Sequence, residues 1–232
     1  MARITRKELK SDKFAQEVGL TVNFFEEHRQ DLARYGGIAL VVALLAVGYG
    51  YYSRHQHAAR QEALYKAIET SEAQIGPPPE SGALSFPTEQ ARNAQTVKLF
   101  TDLTNRYGGS AEATIADYFL GSLKADQGDF TGAEKYLLEA AQKGDDKYAS
   151  LAKLSLAQVY YQENRSDQGE KMLRDLMAHP TIFVSADQAA FVLARQIMPK
   201  SPAEARKLLQ PIASKPGGTG QTATELISQI PQ

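Results

Sequence analysis

Between Arg34 and Arg54 lie nineteen residues without a charge, Tyr35 to Ser53, YGGIALVVALLAVGYGYYS. A helix rises ~1.5 Å per residue, so the stretch reaches about 28 Å, close to the ~30 Å hydrocarbon core of a bilayer. The buried core helix of a soluble protein is the competing reading, but such helices are usually shorter and keep one polar face. Here no face is polar. Tyr35 at one end and Tyr49, Tyr51 and Tyr52 at the other place amphipathic rings where headgroups would lie. Thirty-four residues precede the run, and bulky Tyr51 and Tyr52 close it, which suits an uncleaved anchor better than a cleaved signal peptide. The expectation is one transmembrane helix over 35–53.

The span leaves a tail over 1–34 and about 179 residues on its far side, enough for one sizeable core. The tail holds seven of the 26 Lys/Arg and six of the 27 Asp/Glu, so neither side has the basic excess of a nucleic-acid binder, and no nucleic acid is expected as partner. Cysteine is absent, which excludes a disulfide framework, a thiol nucleophile and a Cys-ligated zinc site. The tail's seven basic residues compare with Arg54, Arg60 and Lys66 in the next 34 residues. The positive-inside rule therefore favours a cytoplasmic tail and an extracytoplasmic C-terminal part.

Along the chain, a basic arm (Arg3, Arg6, Lys7, Lys10, Lys13) precedes a helical stripe of Phe14, Val18, Val22 and Phe25, with Leu32 one turn on. Within the span, Gly36, Ala39, Ala43, Ala46 and Gly50 follow a 3-4-3-4 spacing and form one seam of small residues. Such seams let backbones approach in lipid, where packing drives association, so a partner helix or a second copy is expected there. The helix is predicted to continue over 54–75 through Ala59, Ala63, Ala67 and Ile68. Gly76 to Pro87, GPPPESGALSFP, then reads as a linker before a domain over 88–232. His55 and His57 stand two apart and point to different sides of a helix, so no metal site is expected.

From Thr88 the chain reads as helices and short turns, and a period emerges. Ala116, Leu120 and Gly121 precede a Gly128-Asp129-Phe130 turn and then Ala133, Leu137 and Ala140. Ala152, Leu156, Ala157, Tyr160 and Asn164 precede Gly169, Leu173 and Leu176. Ala189, Leu193, Ala194 and Ile197 precede Ala205, Leu209 and Ile212. The Leu-small pair recurs at 120, 156 and 193, near the 34-residue period of the tetratricopeptide repeat, which the chain resembles over roughly 110–213. Asp117 and Lys124 depart from that pattern by standing where it usually has large apolar residues. Thr222 to Ile230, with Leu226, Ile227 and Ile230, reads as a capping helix. The expected fold class is all-α: one transmembrane helix followed by a helical repeat solenoid.

Catalytic motifs fail on context. The Gly217–Thr222 run lacks the Lys of a P-loop and reads as a linker, and Ser150-Leu-Ala-Lys153 lacks the companion motifs of an S-x-x-K enzyme. No enzyme and no cofactor is expected. In a stacked array the first helix of each unit lines the concave side. That places a protein-binding groove on Tyr118 and Ser122, then Leu151, Leu154, Gln158 and Tyr161, then Gln188, Phe191, Arg195 and Met198. The competing reading makes several of these core, or fills the groove with the C-terminal helix through Leu226 and Ile230.

The order of parts also resembles a family. A tail ending near Phe24-Phe25-Glu26-Glu27, a span closing on Tyr51-Tyr52-Ser53-Arg54-His55-Gln56, and helical repeats are similar to the bacterial ancillary subunit of the SecYEG translocon. The repeat domain of that family is related to the one in the cell-division coordinator of the Tol-Pal system. The resemblance implies a single-pass inner-membrane protein with periplasmic repeats. It would meet the Sec translocon, a membrane-anchored periplasmic chaperone and newly exported clients. The chain departs from the family in its longer basic tail and its proline linker. Two rivals remain open: an envelope-assembly or division adaptor unrelated to export, and a cytoplasm-facing adaptor of reversed orientation.

Replacing Ala43 and Ala46 by Leu keeps the span apolar but blocks close approach along the seam. The double variant is expected to lose copurifying membrane partners or self-association; unchanged recovery would make the seam ordinary span composition.

Overall fold

The computed structural model describes residues 29–78 and 82–231. The basic arm and the Phe14–Phe25 stripe lie outside the described residues. The chain divides into two compact units that meet between Ala58 and Ala59, within a single long helix, α1 (Arg29–Glu72).

In the first unit the large apolar side chains of α1 from Tyr35 to Tyr52 are not covered by other described residues. Ile38, Leu40, Val41, Val42, Leu44, Leu45 and Val47 are between 54% and 72% exposed, on all sides of the helix. An apolar surface of this extent is what a soluble fold would cover. Among the described residues this is the one helix long and apolar enough to cross a membrane.

The second unit is built from the end of α1 and eight further helices. These are α2 (Glu89–Tyr107), α3 (Ala111–Asp126), α4 (Phe130–Lys143), α5 (Asp146–Gln162), α6 (Ser166–Ala178), α7 (Ala186–Ile197), α8 (Pro202–Ala213) and α9 (Gly218–Ser228). Each helix packs on the next from α2 to α9, the arrangement of an array of antiparallel hairpins. The helix starts follow from side-chain capping, which satisfies amide donors that no helical carbonyl reaches. Thr88 accepts from the Ala91 amide at 3.1 Å, Ser110 from Ala113 at 3.1 Å, and Asp129 from Gly132 at 2.9 Å. Asp145 accepts from Tyr148 at 2.9 Å and Ser185 from Gln188 at 3.1 Å. Gly128 (φ 76°) and Asn164 (φ 62°) occupy equivalent places in the turns of the first two units. Both take the left-handed conformation that glycine and asparagine tolerate best.

The core follows the repeat. Leu120, Leu156 and Leu193 on the first helices and Leu137, Leu173 and Leu209 on the second helices are all fully buried. Burying each contributes ~1.5–3 kcal/mol. The small residues sit where paired helices touch. A Cβ on Gly121 would lie 2.6 Å from Leu137 Cγ and 3.0 Å from the Leu137 amide nitrogen. A Cβ on Gly169 would lie 2.7 Å from the Ala157 carbonyl oxygen.

Three local expectations change. Helix α1 ends at Glu72 rather than Ile75, because Gln74–Ile75 (β1) pairs in parallel with Ser85–Phe86 (β2), and the Gly76 amide donates to the Phe86 carbonyl at 2.8 Å. Leu64, Ala67 and Ile68 share a core with Phe100, Leu103, Ala116 and Leu120. The Arg60 guanidinium reaches the buried Glu112 carboxylate at 3.1 Å. The Gly76–Pro87 stretch thus joins two parts of one packed body. The glycine run at 217–220 is no linker either: Gly217 (φ 90°) stands at the N-cap of α9, which begins at Gly218, four residues before Thr222, and Gly220 is buried in its first turn.

Gly121→Ala forces a methyl into the α3–α4 contact, and overpacking of this kind costs ~1–3 kcal/mol. The variant is expected to melt several degrees below the parent by circular dichroism. An unchanged melting temperature would mean that the helix pair can open at no cost.

Candidate functional site

The inner side of the array is set by which helices meet across units. Helix α3 touches α5, and α5 touches α7, beyond the contacts each makes with its sequence neighbours; α4 and α6 approach no such partner in their row as closely. The first helices are therefore crowded together on the inner side.

The ten groove residues divide in this setting. Leu154 is core, only 7% exposed, in the cluster that holds Leu173, Leu193 and Leu209. Leu151, Tyr161, Phe191 and Met198 are half-buried against the same cluster, to which α9 adds Leu226 and Ile230 from just beyond its end. Phe191 also packs against Ala223 and its neighbours, so α9 closes the last unit in the manner of a cap. Tyr118 and Ser122 are half-buried, and Gln158, Gln188 and Arg195 are exposed.

Tyr161 is held between helices. Its ring lies where a Cβ on Gly169 would be 2.8 Å away, and its hydroxyl is buried with no hydrogen-bond partner. Burial, then the Glu170 carboxylate, pushes the phenol up to about 12. At neutral pH it is a neutral group packed on α6.

Two features were not singled out from the sequence. The first is a cavity of about 300 Å³ between α3 and α5, lined by Ser122, Ala125 and Asp126, by Phe130, and by Ser155, Gln158, Val159 and Gln162. Ser122 and Gln158 were expected to share a face. Asp126 and Gln162 follow them by four residues, one turn along, and that spacing was the available signal. The second is a row of rings: Phe119 stacks on Phe100 at 5.2 Å, Tyr118 meets Tyr148 at 5.6 Å, and Lys147 lies over the rings of Tyr148 and Phe183. Ile182, beside Phe183, is 92% exposed.

Between the first two units Arg165 acts as a clamp. It is bidentate on Glu134 of α4 at 2.7 and 2.9 Å and lies 4.2 Å from the centre of the Tyr160 ring. The arginine holds the Glu134 carboxyl below the usual range, and Glu134 in turn raises the guanidinium. In the first unit, the half-buried Asp117 is pushed up to about 6, chiefly by burial and then by Glu139, against the pull of Lys143 and Lys135.

In the span, Ala39, Ala43 and Ala46 are exposed, and a Cβ built on Gly36 or Gly50 would meet nothing within 4 Å. Among the described residues nothing covers the seam. Among the described residues no three His, Asp or Glu side chains are grouped to hold a metal ion.

A family model described as a tetratricopeptide repeat-like domain matches residues 24–190, well over half of the 232 residues and inclusive of the apolar stretch of α1. No curated protein matches the chain, and no solved structure matches it.

Because the folded Asp117 carboxyl holds its proton more tightly than the ordinary value of 3.8, its contribution to stability is present below about pH 4 and lost as pH rises through about 6. Asp117→Asn removes that loss. The melting temperature of the variant is expected to rise relative to the parent between pH 4 and pH 7, whereas parallel melting curves across that range would place Asp117 in open water.

Proposed function

The chain belongs to the tetratricopeptide repeat-like family, and on that premise we propose that it is a membrane-anchored scaffold that binds other proteins through its repeats. The family supplies the general role, since stacked repeats present an extended surface rather than a reacting centre. The observation that carries the anchoring is the charge-free stretch of α1, whose large apolar side chains are exposed among the described residues. The Lys/Arg bias of the tail supports a cytoplasmic N-terminus with the repeats on the far side, and the sequence resemblance supports the bacterial inner membrane as the membrane crossed and the periplasm as the location of the repeats. The sequence resemblance supports the finer role: an ancillary subunit of the SecYEG translocon that helps newly exported proteins meet a membrane-anchored periplasmic chaperone. The groove carries Tyr118, Ser122, Gln158, Gln188, Arg195 and the exposed parts of Phe191 and Met198. The small-residue seam meets a partner helix.

Two experiments test the two parts. A photo-crosslinker placed at Ala43 of the full chain is expected to recover translocon subunits, and protease added to spheroplasts is expected to digest the repeats. Crosslinks to other membrane proteins alone would replace export with envelope assembly or division. Protection of the repeats in intact spheroplasts would reverse the orientation.

A further inference from the structure

The cavity between α3 and α5 is unusual for what its polar groups lack. Ser122 Oγ is buried without a hydrogen-bond partner. Asp126 is the sole charged side chain in the lining, and among the described residues it makes no ion pair. The nearby Lys124 ammonium is committed elsewhere, to Asp129 at 2.9 Å. The side chains of Ser155, Gln158 and Gln162 also form no hydrogen bond within the described chain. Folded proteins satisfy nearly all their buried polar groups, so the buried Ser122 hydroxyl marks a partner group missing from the cavity. Asp126, Gln158 and Gln162 line the same cavity with exposed side chains that no other group of the described chain holds.

We propose that this cavity receives the lysine or arginine side chain of a bound protein segment. The proposal rests on the scaffold reading and names the partner chemistry that the first two units recognise. Asp126 and the amide and hydroxyl oxygens accept hydrogen bonds from a cationic head, and a charge-assisted bond to carboxylate is stronger than a neutral one. Phe130, Val159 and Ala125 give the apolar wall along which an aliphatic stem packs while its charge stays at the polar end. A cavity of about 300 Å³ accommodates one long side chain. An acidic side chain would meet Asp126 as a like charge, and a purely apolar one would leave the buried Ser122 hydroxyl unpaired, so both are selected against.

The full chain in detergent micelles, observed through the side-chain amide signals of Gln158 and Gln162, is titrated with n-butylguanidinium, n-butylammonium, butyrate and butanol. A capped Gly-Ala-Arg-Ala-Gly peptide is titrated in parallel. The two cations and the peptide are expected to give saturable shifts, and butyrate and butanol none. Asp126→Asn, a change at an exposed side chain, is expected to weaken cation binding by about tenfold, the scale of one well-made charged contact, with an unchanged melting temperature. Absence of saturation by the cations, or equal binding to Asp126→Asn, overturns the proposal. Binding of butylguanidinium but not of the peptide overturns it as a protein site, leaving a pocket for small cations. Recovery of partners by the span crosslinker without cation binding sinks this assignment and leaves the scaffold reading intact. Cation and peptide binding with no partner recovered does the reverse.

Discussion

The repeat domain depends on how closely two helices can lie in each hairpin. Gly121 gives Leu137 the space its side chain occupies, and Gly169 lets the backbone of α6 approach the Ala157 carbonyl. With a methyl at either place the pair would have to separate, and interiors packed to crystalline density absorb such a change poorly. Around these contacts Leu120, Leu156 and Leu193 and their second-helix counterparts Leu137, Leu173 and Leu209 are all fully buried, spread over three core clusters along the array. The first helices then meet across hairpins to form the inner side, α3 with α5 and α5 with α7.

The joints between hairpins are set by turns and by charge. Gly128 and Asn164 allow the same left-handed step, after which the two units diverge. Asp129 caps α4 through its side chain. Arg165, at the equivalent place, instead reaches back to Glu134 and lies over Tyr160, tying the second hairpin to the first. One position in the repeat thus serves two purposes. Helix α9 ends the array: its Leu226 and the following Ile230 complete the core that α7 and α8 leave open, as a terminal element of a solenoid must do to keep that core from water.

Helix α1 carries two kinds of surface along one continuous element. Between Tyr35 and Tyr52 its large apolar side chains are exposed on every side; from Ala59 it has the one-sided stripe of an ordinary packed helix, with Leu64, Ala67 and Ile68 against Phe100 and Leu103. Arg60 and Glu112 pair where that stripe begins, and the short β1–β2 pairing closes the far end. An all-round apolar surface is stable against lipid, and a one-sided stripe is stable against a neighbouring helix. The change between them within a few residues is the clearest mark of where the second unit starts.

Much of this was written in the sequence. The charge-free stretch of Tyr35–Ser53, the 36- and 37-residue recurrence of Leu-small pairs, and the caps at Thr88 and Ser110 are local or strictly periodic signals, and such signals survive without knowledge of the fold. What depended on tertiary structure was which side chains end up as core and which as surface. Leu154 and Gln158 both lie on first-helix positions of the second unit, yet one is buried against Leu173 and Leu193 and the other is open to solvent. The same holds for Asp126, whose significance comes from α5 lying across from it, and for Ala67, whose burial comes from α2 and α3. The sequence alone determined the period and the helices, because backbone hydrogen bonding and side-chain spacing act within a few residues. The lining of the cavity, and the joining of the end of α1 to the repeats, were decided only when distant helices packed, because the groups that meet there are far apart along the chain.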